Sequence, residues 1–155
     1  MQVSIRQAHI QDTLSISELL AEASQEFVVG ELSEEGRVYY LSQLTPERVV
    51  EKLSSDFRFY VAEVNNRLAG VAAIRANTHL YYLFVAKPFH RKGTARRLWA
   101  VVKADAIRLG NPGMFTVNAS RFTVSSYERL GFVQKGPTKT LQGILYAPME
   151  FTVGG

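Results

Sequence analysis

The sequence predicts a mixed α/β fold: about six or seven strands in a mostly antiparallel, twisted sheet, with helices on both faces. Three observations carry this reading. Segments with helical spacing alternate with short segments of period two along the chain, and two strand-like runs flank the turn pair Asn65-Asn66. The run at residues 79–85 is aromatic and apolar on both faces, as expected of a covered central strand. Helix crossovers between strands imply some parallel pairing, and hairpins imply antiparallel pairing.

Each element has a local cause. Residues 3–6 alternate as a short edge strand. From Asp12, Leu14, Ile16, Leu19 and Leu20 recur at helical spacing to about Glu26, with Asp12 or Thr13 as cap, until Gly30 breaks the pattern. A second helical region covers residues 33–41. Thr45-Pro46-Glu47 opens a third, because proline at the first helical position loses no hydrogen bond; its expected buried stripe is Val49, Val50 and Leu53. Residues 57–64 and 68–75 form the hairpin about Asn65-Asn66, a pair that tolerates positive φ. After the strand at 79–85 and Lys87-Pro88, a long helix is expected over 91–109. Its apolar side is read as Leu98, Val101, Val102, Ala106 and Leu109, and Gly110-Asn111-Pro112 stops it. A strand at 114–117, a helix at 121–130 closed by Gly131, and strands at 132–134 and 143–152 complete the order.

Composition bounds the rest. At 155 residues, with 46% hydrophobic and 21% charged residues, the chain fits one domain, residues 1–155, with a core of its own. The absence of cysteine excludes a disulfide framework, a thiolate metal site and a cysteine nucleophile. It fits a reducing cytoplasm, the expected location. The N-terminal residues lack the apolar core of a signal peptide, and no apolar stretch is long enough for a bilayer, so no membrane is expected. A net charge of +4 serves either solubility or a bound polyanion. Lys87, Arg91, Lys92, Arg96, Arg97 and Lys103 crowd one segment, which favours a local anion site over the strung-out basic face of a nucleic-acid binder.

That segment is the loop His90-Arg91-Lys92-Gly93-Thr94-Ala95, between the central strand and the long helix. The first turn of a helix carries unpaired N–H groups and partial positive charge. Small residues at Gly93 and Ala95 would let an anion reach the amides, with Arg91, Lys92, Arg96 and Arg97 around it. Read alone, Gly93 is either a turn residue or part of an anion cradle. The loop lacks the Gly-Lys-Ser/Thr of a Mg-nucleotide site and the three glycines of a dinucleotide fold.

The loop resembles the Gln/Arg-x-x-Gly-x-Gly/Ala signature of the GNAT superfamily of acyl-CoA N-acyltransferases. Leu83-Phe84-Val85 and Pro88 stand where that superfamily has its Leu-x-Val-x-x-x-Pro approach. Tyr127-Glu128-Arg129-Leu130-Gly131-Phe132 resembles its Tyr-x-x-x-Gly-Phe segment, and Pro148-Met149-Glu150 a common ending of its last strand. His90 and Ala95 depart from the commonest residues at their positions. The element order is similar over nearly the whole chain.

The resemblance implies acetyl transfer from acetyl-CoA to a primary amine of a small molecule or peptide, by direct attack in a ternary complex. It implies no metal and a cytoplasmic enzyme of a type in which homodimers are common. Implied cofactor contacts are Leu83, Phe84, Val85, His90, Arg91, Lys92, Gly93, Thr94, Ala95, Arg96, Asn118 and Tyr127. The amides of Phe84 and Val85 would pair with the pantetheine arm, and a bulge near residues 85–87 would splay the central strands to admit it. Asn118 is either a pantetheine contact or a helix cap. Tyr127 is either a core residue or the acid that protonates the leaving thiolate. His79, on a strand similar in its His-Leu opening to arylalkylamine acetyltransferases, is a catalytic base candidate beside Glu26 and Glu63. Glu26, Phe27 and Tyr81 are the acceptor-site candidates. Glu22, Glu26, Glu31, Glu34 and Glu35, with Tyr39 and Tyr40, form either an acidic aromatic pocket for a cationic amine or a solvated helix face. A non-catalytic acyl-CoA-binding domain of the same fold is the alternative.

Overall fold

The computed structural model describes residues 2–27, 30, 32–141 and 143–154, with Glu26 and Phe27 described in their helical backbone only. In chain order the elements are β1 (Ser4–Gln7), α1 (Thr13–Phe27), α2 (Glu34–Ser42), α3 (Pro46–Leu53), β2 (Phe57–Val64), β3 (Arg67–Arg75), β4 (His79–Val85) and α4 (Thr94–Arg108). Then come β5 (Met114–Ala119), α5 (Val124–Arg129), β6 (Val133–Gln134), β7 (Lys139–Leu141) and β8 (Ile144–Thr152). The strands lie in the order β1-β2-β3-β4-β5-β8-β6, with β7 paired to β8, and every pairing except β4–β5 is antiparallel. Among the described residues no helix is long and apolar enough to cross a membrane.

The local signals act as the sequence suggests. Asn65 (φ 51°) and Asn66 (φ 63°) form the tight turn whose twist matches the two strands it joins. Ser33 Oγ accepts the Gly36 N–H at the start of α2, and Thr45 Oγ1 accepts that of Arg48 ahead of Pro46 in α3. Gly131, at φ 105°, closes α5 against Phe151.

The sheet has an apolar layer on each face. On one, α1 and α3 bury Ile16, Leu20 and Val49 against Phe59, Val61, Val71 and Ala73. On the other, α4 buries Leu98, Trp99 and Val102 against Ala62, Ala72, Ile74, Phe115 and Phe132. Along β2, and along β3 beyond a bulge at Ala69, successive side chains go to opposite layers.

Along β4 that alternation is interrupted. Leu80 pairs with Ile74 and Tyr82 with Ala73, so Tyr81 is an extra residue opposite the step between them. Leu80 and Tyr82 therefore lie in opposite layers although they are two residues apart. Beyond this bulge β4 turns away from β5. The two are registered only at His79↔Thr116 and Leu80↔Val117.

Several expectations are corrected. The expected bulge near residues 85–87 lies at Tyr81. The strands among the described residues number eight, because β7, short and exposed, gave no apolar pattern. Helix α4 starts at Thr94 rather than Arg91, since Arg91 (φ 62°) and Gly93 (φ 77°) cannot be helical. Its buried stripe uses Trp99 in place of Val101 and Leu109, which are exposed; Val50 of α3 is exposed as well. The central strand is covered on both faces at Leu80 and Tyr82, but Tyr81 is exposed and residues 83–85 are only half-buried beside the gap left by β5.

At Gly70 on β3, α4 packs closely on the sheet. A Cβ there would stand 2.9 Å from Leu98 Cδ1 and 3.1 Å from the Phe84 carbonyl oxygen. Gly70→Val should destabilise the fold by roughly 1–3 kcal/mol through overpacking, read as a lower urea midpoint with an unchanged slope.

Candidate active site

Where β4 leaves β5, its backbone acquires a free edge. Ala86 N–H donates to Ala69 O at 2.8 Å, and Phe84 is registered with Val71. The two-residue alternation of an antiparallel ladder then turns the Phe84 amide toward β3, and those of Leu83 and Val85 toward the gap. The Phe84 amide is thus committed to the sheet, contrary to expectation, while its side chain lines the gap. His90 lines the same gap, and its Nε2 hydrogen-bonds the Val85 carbonyl oxygen at 2.7 Å, folding the loop back onto the strand end.

The loop then enters α4. Arg97 N–H is bonded to Gly93 O, so the amides of Thr94, Ala95 and Arg96 precede the first intrahelical donor, and Gly93 gives no side-chain cap. A Cβ on Gly93 would meet nothing within 4 Å, so the space above this turn is open. Thr94 is almost fully buried, and its Oγ1 has no hydrogen-bond partner among the described residues. Open amides, a buried unpaired hydroxyl and the helix dipole together suit an anion with several oxygens. The surrounding cations divide. Arg91 and Arg96 line the cavity at this point, whereas Lys92 points into solvent. Arg96 also donates to Arg129 O at 3.2 Å, and Arg97 to Val3 O at 3.1 Å.

Two cavities meet here. One, of about 540 Å³, runs from the first turn of α4 past Val85 to α5, lined by Phe89, Phe122, Ser126 and Leu130 among others. The other, of about 240 Å³, lies between α2, β4, β5 and the β7–β8 hairpin. Leu83, Phe84, Thr123 and Tyr127 line both. Tyr127 is fixed by α5: its N–H donates to Thr123 O, its carbonyl accepts from Leu130 and Phe132, and its ring meets Phe132 edge-on at 5.5 Å. Burial holds its phenol well above the ordinary tyrosine range.

The second cavity gathers His79, Tyr81 and Asn118. Asn118 lies there rather than in the larger cavity, and it does not cap α5, whose cap is Thr123. His79 Nδ1 bonds Thr116 Oγ1 at 2.7 Å, and burial with the nearby Arg75 charge lowers its pKa to about 4. The side chains of Glu26 and Phe27, and all of Glu31, lie outside the described residues. The other expected carboxylates are elsewhere: Glu34 pairs with Arg37 at 3.5 Å, Glu35 is exposed, Glu22 lines a separate groove along α1, and Glu63 bonds Arg6 at 2.8 Å on the sheet edge. Sequence reasoning missed Thr123, Leu141, Leu145 and Tyr146. Thr123 could have been found, because it lies one turn before Tyr127 on the same helical face. The β7–β8 residues could not, since only long-range folding brings that hairpin to β4. Among the described residues no cluster of His, Asp or Glu is arranged to hold a metal ion.

Comparison with known proteins agrees with this geometry. A family model described as acetyltransferase (GNAT) domain matches residues 20–153. No curated protein sequence matches the chain. Among solved structures, a GCN5-related N-acetyltransferase from Rhodopseudomonas palustris superposes with a TM-score of 0.84 at 17% identity, covering 98% of this chain and 96% of its own. The PaiA N-acetyltransferase of Thermoplasma acidophilum, solved with coenzyme A, gives 0.81 at 21%, covering 98% and 99%. The ribosomal-protein-S18-alanine N-acetyltransferase of Escherichia coli gives 0.72 at 13%, covering 98% and 94%. At these identities the structures speak for the shared fold, and the match over most of the sequence speaks for descent: the chain belongs to the GNAT acetyltransferase domain family.

Proposed function

We propose that residues 1–155 form one N-acetyltransferase domain that moves an acetyl group from acetyl-CoA to a primary amine in a ternary complex. The observation that carries this is the position of Tyr127, shared by an anion-cradling cavity and an aromatic one. A domain that only bound an acyl-CoA would need the first cavity and not the second. The coenzyme A bound by the Thermoplasma protein on the same fold supports the assignment of the donor.

Bound acetyl-CoA supplies an activated thioester. The amides of Thr94, Ala95 and Arg96, the Thr94 hydroxyl and the Arg91 and Arg96 guanidinium groups hold its diphosphate. The free-edge groups of Leu83 and Val85 hold the pantetheine arm as an added strand, and a free-edge N–H polarises the thioester carbonyl. His90 keeps the Val85 end of that edge in position. The amine nitrogen attacks the carbonyl carbon, the carbon–sulfur bond breaks, and the amine proton leaves with water. An ordinary thiol ionises near pH 8.5, below the raised range of Tyr127, so complete transfer from the phenol to sulfur is uphill. Tyr127 therefore acts mainly as a hydrogen-bond donor to the developing thiolate.

Thiol release from acetyl-CoA over a panel of amines tests the activity; no release with any amine would overturn it. Tyr127→Phe should lower kcat by about 10²-fold while the acetyl-CoA Kd, from the thermal shift it induces, changes little. Unchanged turnover would remove Tyr127 from the reaction.

Thr94→Val separates binding from stability. It removes a buried hydroxyl with no partner among the described residues, so the ligand-free protein should gain up to about 1 kcal/mol. The same variant should bind acetyl-CoA about tenfold more weakly, by the loss of a hydrogen bond to a charged group.

His79 is neutral across physiological pH, so the rate should show no inflection near pH 6.5 from this residue. His79 takes up its proton near pH 6.5 in the unfolded chain and only near 4 in the folded protein. Falling pH through that window thus favours the unfolded state. His79→Gln should flatten the decline in Tm between pH 6.5 and 4, and an unchanged slope would refute the buried, neutral state.

A further inference from the structure

Six of the chain's seven tyrosines, Tyr39, Tyr40, Tyr81, Tyr82, Tyr127 and Tyr146, line the 240 Å³ cavity. They come from α2, β4, α5 and β8, so no single stretch of sequence reveals the grouping. Tyr81 and Tyr82 already stand edge to face with centroids 4.8 Å apart, and Phe57 meets Tyr81 the same way at 4.9 Å. Aromatic groups add to one another in this geometry, and a ring entering between them gains contact beyond its buried area. Leu145 and Phe84 complete an apolar wall.

Size and closure narrow the guest. The volume is below the roughly 300–1,000 Å³ of sites for drug-sized molecules, so it fits one ring with a short chain. Helix α2 is set against the β7–β8 turn so closely that a Cβ on Gly36 would stand 2.3 Å from Gly143 O. The two backbones leave no gap at that point beside the cavity.

Charge narrows it further. No carboxylate is among the described residues of the lining. The charge that bears on it is positive: the Arg75 guanidinium lies 5.5 Å from the Tyr81 ring centroid, and its field reaches His79. A second ammonium on the acceptor would meet this cation with no carboxylate among the described lining residues to offset it. The same setting disfavours the charged form of the reacting amine and so helps it reach the neutral, nucleophilic state.

We infer that this cavity selects a primary amine attached by a short chain to a single aromatic ring, in preference to polyamines and peptide N-termini. The inference rests on the acetyl-transfer reading for its chemistry but not for its binding. Thiol release should be measured with acetyl-CoA and, separately, 2-phenylethylamine, spermidine and an alanine tripeptide, alongside calorimetric binding of each amine to the coenzyme A complex. The aryl amine is expected to lead both series by about tenfold or more, the discrimination an apolar pocket supplies. Tyr81→Ala should cut that preference at least fivefold. If 2-phenylethylamine binds selectively but nothing is acetylated, the transfer reading fails and the cavity inference stands. If spermidine or the tripeptide equals or exceeds it, the inference is overturned while transfer stands. If none of the three binds, the inference is overturned as well.

Discussion

The organisation of this protein depends on one interruption of hydrogen bonding, the early parting of β4 from β5. A parallel pair inside a sheet ordinarily keeps its ladder, because each buried backbone group left unpaired costs free energy. Here the ladder lasts for two registered pairs and stops. The cause is local: the extra residue Tyr81 reverses the alternation of β4 and swings its second half out of line with β5. A slot opens through the middle of the sheet, with the polar edge of Leu83 and Val85 on one wall. His90 satisfies one group of that edge, the Val85 carbonyl.

The slot is useful because the chain leaving β4 must return to the sheet through a helix. A crossover from β4 to a parallel neighbour puts the start of α4 at the same end of β4 as the opening. The position of α4 is set by packing, with Gly70 admitting Leu98 and the Trp99 ring held among Phe115, Phe132 and Phe151. The left-handed turn at Gly93 then directs the first amides toward the opening. Rigid apolar contacts on one side of the helix thereby fix polar groups at its end, where no interior contact holds them.

What the sequence disclosed and concealed divides along the same line. Signals confined to a few residues were legible: the Asn65-Asn66 turn, the Thr45-Pro46 helix start, the Gly131 cap and the loop about Gly93. Tyr127 was legible through its spacing to Gly131. The Tyr81 bulge was not, because a run of His-Leu-Tyr-Tyr-Leu-Phe-Val is compatible with regular alternation on either face. The stripe of α4 was misread since Leu98-Val101-Val102 and Leu98-Trp99-Val102 are both helical; aromatic neighbours on β5, β8 and the turn before β6 decide for Trp99. The second cavity was partly read. Tyr39, Tyr40 and Tyr81 were found, but their grouping with Tyr146 comes from sheet order, and the acidic rim expected beside them is absent among the described residues.

The two ionisable groups that bear on the proposed reaction owe their states to one environment. Burial is the larger cause of both opposite shifts, raising the Tyr127 phenol and lowering the His79 imidazole, which the Arg75 charge lowers further, since removal from water disfavours whichever form is charged. Acetyl transfer to an amine needs a neutral nucleophile and a donor that keeps its proton until sulfur begins to carry charge. A half-enclosed aromatic cavity favours both conditions. In the proposed reaction the cavity supplies much of what a dedicated general base would otherwise provide, which accounts for a site with a neutral histidine and no carboxylate among its described lining residues. The aromatic wall thus selects the acceptor and sets its protonation state by the same desolvation.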